Sequence, residues 1–169
     1  MKNTIASAII LTLLIQMIHA DDQSAFQKFQ VFLASKTFSA VDAGNTVSER
    51  ITVERKEGNI IFNQTVRSEG PEGIVEVAMK WSLPIQLFLA AMIEKHEFFD
   101  KIMQISLVSK NGAQIFPYEG TTVMRTKDGR STSETKSGMA DKFGISFRGQ
   151  KEAEDFMSLY KNLTEELRK

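Results

Sequence analysis

The apolar positions of this chain follow three rhythms, and each predicts a different kind of element. An almost unbroken run comes first, from Ile5 to Ile18, interrupted by Ser7, Thr12 and Gln16. Lys2 precedes it, and small Ala20 followed by Asp21 and Asp22 closes it. A basic start, an apolar middle and a small residue before the polar chain are the parts of a secretory signal peptide over residues 1–20. The run is too short to span a bilayer as a helix, and no basic stop-transfer cluster follows. The expectation is an exported chain, periplasmic or secreted, beginning at Asp21, with no stable membrane span after cleavage. Ile18, three residues before the cut, weakens the cleavage signal and leaves an uncleaved short anchor as the alternative.

The second rhythm is helical. After Ser24, a residue suited to capping, Phe26, Phe29 and Leu33 share one face and predict a helix ending near Ser35. At the other end, Ala153, Phe156, Tyr160, Leu163 and Leu167 make one face of a helix over residues 150–169. Between them, Ser82, Leu83 and Pro84 read as a helix start. The stripe Ile85, Phe88, Leu89, Met92, Phe99 and Met103, widened by Leu87, Ala91, Phe98 and Ile102, predicts a central helix over residues 84–103 lying deep against a sheet.

The third rhythm alternates. Between Lys36 and Trp81, Ile51 and Val53, then Ile60, Phe62 and Val66, then Val75, Val77, Met79 and Trp81 occupy every second position. Gly44-Asn45, Gly58-Asn59 and Gly70-Pro71-Glu72-Gly73 punctuate them. Four antiparallel strands with one buried face are expected. A second β-rich stretch spans residues 104–148, with turns signalled at Asn111-Gly112, Glu119-Gly120, Asp128-Gly129 and Ser137-Gly138. The ribbon from Thr121 to Ser137 is polar on both faces, and Phe143, Ile145 and Phe147 form a closing strand. The predicted fold is α+β: a single domain over residues 21–169, with antiparallel β meanders packed against the central helix and a helix at each terminus.

Composition changes this picture mainly by exclusion. Basic and acidic side chains balance at 21 each, and removing Lys2 with the leader leaves a net charge of −1. Without a basic patch or stripe, nucleic acid is not expected as a partner. The chain has no cysteine, which rules out a disulfide, a thiolate nucleophile, a cysteine-type zinc site and a lipid-bearing cysteine at the cleavage point. Stability has to come from packing.

Candidate chemistry is sparse. His96 is the one histidine beyond the leader, with Glu94, Glu97 and Asp100 nearby. Acid and base work is conceivable there, but a single histidine lacks the repeated spacing of a metal motif, and a part-buried structural role is the preferred reading. No Gly-x-Ser-x-Gly elbow occurs, Gly70 to Gly73 joins strands rather than opening a helix, and no cofactor or metal is expected. Asn63-Gln64-Thr65 and Asn162-Leu163-Thr164 match the glycosylation acceptor pattern by chance.

The richer signal is a surplus of soft and aromatic side chains. Trp81, Phe88, Met92, His96, Phe99 and Met103 are the expected lining of an apolar groove between helix and sheet, with Phe116, Tyr118 and Met124 adding to the same character. A filled core is the preferred reading of these residues taken by themselves, since stripes at helical spacing usually are core. Arg125, Lys127 and Arg130 on the polar ribbon are the expected contacts for a protein partner. The sequence therefore points to an exported, non-enzymatic binding or interaction module for a lipid, another hydrophobic ligand or a protein. A small periplasmic hydrolase using His96 and a secreted factor binding a host protein are the alternatives.

Overall fold

The computed structural model describes residues 24–42, 44–85, 90–96, 102–108 and 116–168. Helix α1 (Ala25–Ala34) opens on a capping box in which the Ser24 hydroxyl accepts from the Gln27 amide and the Gln27 side chain accepts from the Ser24 amide. Strands β1 (Thr37–Asp42), β2 (Asn45–Lys56), β3 (Asn59–Gly70) and β4 (Gly73–Pro84) follow as an antiparallel meander. The two residues joining β2 to β3 are Glu57 and Gly58, with φ of 50° and 77°. Positive φ at both central positions gives the backbone twist that lets a two-residue hairpin continue its strands. Strands β5 (Ala90–Lys95) and β6 (Ile102–Val108) leave this sheet, and β7 (Phe116–Thr126) returns to it beside β4. The chain ends with β8 (Ser131–Ala140), β9 (Lys142–Arg148) and helix α2 (Gly149–Leu167).

Two antiparallel sheets result. The larger has the order β1-β2-β3-β4-β7-β8, and the smaller has the order β5-β6-β9. Alternation decides which face of the large sheet is covered. Ile51 and Val53 of β2, Ile60 and Phe62 of β3 and Leu83 of β4 all face inward and are buried. The small sheet supplies Ile105, Leu107, Phe143, Ile145 and Phe147 to the same core. The two helices close it. Phe29 of α1 stands 5.2 Å from Phe156 and 6.2 Å from both Tyr160 and Phe62, centroid to centroid. The helices are also tied at their ends, where Glu166 accepts from the Ala25 amide and Lys36 pairs with Glu152 at 3.0 Å.

The predicted central helix over residues 84–103 is overturned, and the α+β class with it: among the described residues the protein is mostly β, with helices at the two ends. Pro84 ends β4, and residues 90–95 and 102–108 are strands. A stripe as wide as the one read there is apolar almost all round, and such a run fits a buried strand as well as a buried helix. Pairing decides the matter. The alternating strand Phe143, Ile145 and Phe147 needs a hydrogen-bonding neighbour, and β6 provides it through Ile105↔Ile145 and Leu107↔Phe143. Strand β5 then covers the other side of β6, with Ala91 and Ile93 packed on the core.

Two turn signals are also corrected. Glu119-Gly120 lies within β7 and Ser137-Gly138 within β8, whereas Asp128-Gly129 does form the β7–β8 turn. Asn111-Gly112 lies outside the described residues, as do residues 1–20, where a leader is expected.

Candidate functional site

The strands of the large sheet are long enough to run past the helices and the small sheet. On the inner face of β4 the positions Leu83, Trp81, Met79, Val77 and Val75 pass from buried through half-buried to 39% exposed. On β7 the partners of Trp81, Met79, Val77 and Val75 are Tyr118, Gly120, Thr122 and Met124 in turn. Where the cover ends, a groove of about 480 Å³ opens, lined by Met79, Trp81, Tyr118, Gly120, Thr122, Lys136, Met139, Ala140 and Asp141. Its volume falls within the ~300–1,000 Å³ usual for small-molecule sites.

Glycines make the room. A Cβ on Gly120 would stand 2.3 Å from the Met79 sulfur, so the thioether lies where a side chain would be. A Cβ on Gly138 would meet the Tyr118 ring at 3.1 Å, so that ring lies flat over bare backbone. Trp81 stacks on Phe143 at 5.3 Å and 18° and meets Tyr118 at 5.3 Å and 40°, forming an aromatic wall anchored in the core.

Behind that wall sits a buried polar chain. Glu49 is 8% and Gln64 9% exposed. Glu49 is in phase with Ile51 and Val53, and Gln64 with Ile60 and Phe62, so both project inward where the alternation calls for apolar residues. They are diagonal neighbours, since Gln64 pairs with Ile51 and Glu49 with Val66. Every hydrogen-bonding group of the Gln64 amide is used. Its nitrogen donates to Glu49 Oε1 at 2.9 Å and to the Gly144 carbonyl at 3.0 Å, and its oxygen accepts from Trp81 Nε1 at 3.0 Å. Glu49 Oε1 also accepts from the Ser146 amide at 3.4 Å.

These contacts seal the free edge of β9. Gly144 and Ser146 turn their backbone groups away from β6, and two side chains of the large sheet satisfy them in place of another strand. Burial pushes the Glu49 carboxyl above the ordinary carboxylate value, against the opposing pull of hydrogen bonds from Ser146 and Gln64.

Of the six residues expected to line an apolar site, Trp81 lines the groove. Met103 packs against the core from β6, and Met92 is 44% exposed on β5. His96 is half-buried just beyond β5, its amide bonded to the Ile102 carbonyl at 3.0 Å. Phe88 and Phe99 lie outside the described residues. With strands at 90–95 and 102–108, Met92 and Met103 fall on opposite faces of the small sheet.

The enzyme alternative meets a similar change of neighbours. Glu94 accepts from the buried Ser106 hydroxyl at 2.7 Å and from Lys142 at 2.9 Å, and these bonds hold its carboxyl below the ordinary value. Glu97 and Asp100 lie outside the described residues. Among the described residues no three histidine, aspartate or glutamate side chains gather as a metal site.

Arg125, Lys127 and Arg130 are exposed at the β7–β8 turn, and β8 is exposed from Ser131 to Met139. Arg130 is tied to Asp128 at 3.0 Å, and Asp128 is held below its ordinary pKa by the Thr126 hydroxyl. A second cleft, of about 550 Å³, lies at this end of the sheet. Asn45, Ser68, Glu72 and Arg125 share its walls with Val75 and Met124, a more polar lining than that of the Trp81 groove. No family model, curated protein or solved structure matches this chain.

Proposed function

We propose that this chain is an exported, non-enzymatic binding module that holds a lipid or other hydrophobic molecule in the groove between β4, β7 and β8. The observation that carries this reading is the uncovered continuation of the apolar inner face. Trp81, Tyr118 and Met79 stand there around Gly120 and Gly138, with Lys136 and Asp141 at the polar rim. Fixed aromatic rings present a large contact area at little entropic cost, and methionine adapts to ligands of different outline. The leader over residues 1–20 supports the exported setting.

Native mass spectrometry of the protein purified from its own compartment tests the reading. A copurified apolar molecule in stoichiometric amount is the expected result, lost in Gly120→Leu, whose side chain forces Met79 into the groove. An empty wild-type protein contradicts it.

A secreted factor that binds a host protein is the second reading, favoured by the exposure of the β7–β8 turn and of β8 from Ser131 to Met139. Replacing Arg125, Lys127 and Arg130 together with uncharged residues should then abolish partner capture while leaving the groove's ligand in place.

A further inference from the structure

One residue, Gln64, bridges the buried carboxylate and Trp81 of the groove wall, and its amide cannot turn over. The Gly144 carbonyl can only accept and Trp81 Nε1 can only donate, so together they fix which end of the amide faces which way. The second amide hydrogen is therefore always presented to Glu49, and the indole that walls the groove is positioned by the residue that faces the carboxylate. We infer that the groove is a proton-linked binding site, in which Glu49 and Gln64 act as positioning residues for Trp81 and an apolar ligand is held more tightly when Glu49 carries a proton.

This rests on the groove being a ligand site. A ligand lying against Trp81 displaces water from the outer side of the relay and lowers the polarisability around it, which penalises the charged form of Glu49 and leaves the neutral form unaffected. By reciprocity, whatever a ligand adds to the proton affinity of Glu49, the proton adds to the affinity for the ligand. The neutral acid still accepts from Gln64 through its carbonyl oxygen, so the Trp81 bond survives protonation. The Ser146 amide likewise keeps donating to that oxygen.

The charged groups of the surrounding elements do not supply this linkage. Across Phe38 and Ser146 lie Lys36, Arg148 and Glu152, where Lys36 and the Arg148 amide both engage Glu152. On β2, β3 and β4, Arg50, Arg67 and Glu76 belong to the opposite face, with Arg67 bound to Glu69 and Glu76. On the groove side the rim carries Lys136 and Asp141, and Lys136 pairs with Glu134.

The experiment uses N-phenyl-1-naphthylamine, an apolar fluorescent probe that stays uncharged, titrated from about pH 5 to about pH 7.5, a range in which histidine is the one unperturbed side chain that titrates. The dissociation constant for wild type should fall about fivefold or more toward the acid end, the size usual for coupled sites. Glu49→Gln, which keeps the acceptor for Gln64 without the charge, should bind with the wild-type acid affinity throughout. Ser146→Ala keeps the amide bond but removes the side-chain hydrogen bond from Ser146 that favours the charged form, so it should move the midpoint upward in pH, and it carries the test even if Glu49→Gln folds poorly. A pH-independent affinity, the opposite slope, a slope that persists in Glu49→Gln or an unmoved midpoint in Ser146→Ala overturns the linkage and leaves the groove standing. No saturable binding at any pH overturns both.

Discussion

Glu49 and Gln64 occupy positions where a polar side chain breaks the apolar alternation of β2 and β3. That phase was legible: a glutamate two residues before Ile51 and a glutamine two residues after Phe62 lie on the buried face of any strand drawn through them. Their partnership was not, because it depends on β9, which lies some eighty residues further along the chain, delivering Gly144 and Ser146 to the same spot. The carboxyl has a sharp consequence for stability. The folded protein holds a proton on Glu49 at pH values where the unfolded chain has released it, so stability is highest below the ordinary carboxylate pKa of 4.5 and declines as pH rises through the raised value. Denaturant titrations of wild type and Glu49→Gln should therefore diverge as pH rises toward neutral, with the variant the more stable. Glu94, which is half-buried, and the exposed Asp128 act in the opposite sense, losing their contribution as pH falls below the ordinary range. Glu49→Leu is a different case. It leaves Gln64 and Ser146 donors without an acceptor and should cost about 1–3 kcal/mol, read from the shift of the denaturation midpoint at constant slope.

At the scale of elements, the two terminal helices were readable because each carries its own signal, a capping box at Ser24 and a single apolar face from Ala153 to Leu163. The first meander was equally readable, since its turns carry glycine where φ is positive and its strands alternate over most of their length. Residues 84–103 were not. Their apolar content satisfies two periods at once, and the choice is made by the demand of β9 for a neighbour, which no local window contains. Gly120 and Gly138 misled for a related reason: they read as turn punctuation, but they sit inside strands to leave room for Met79 and Tyr118. The hairpin charges give a test at this scale. Because Arg125, Lys127 and Arg130 are exposed and the Asp128–Arg130 pair is a surface one, neutralising all three should change stability by less than about 1 kcal/mol in thermal or denaturant unfolding.

Over the whole molecule, one aromatic cluster joins every layer. Phe62 touches Phe29 of α1 and Phe143 of β9, and Phe143 carries Trp81 at the groove. Phe62→Ala should therefore cost about 3–5 kcal/mol, measured by denaturant unfolding, and should also disturb the emission of Trp81, the single tryptophan. The groove exists because the large sheet outruns what the helices and the small sheet can cover, a property of strand length and sheet assignment together. Its aromatic character is legible in Trp81 and Tyr118, but its place is not, because the apolar stripe that suggests a groove there belongs to a helix that is not formed. Trp81 stands in the wall and so reports on the groove from within. Energy transfer from Trp81 to N-phenyl-1-naphthylamine at neutral pH is the most direct measurement. Saturable transfer at one probe per chain, abolished by Gly120→Leu in a folded variant, is what a binding groove at Trp81 predicts. Absence of saturable transfer, or transfer unchanged by Gly120→Leu, contradicts it.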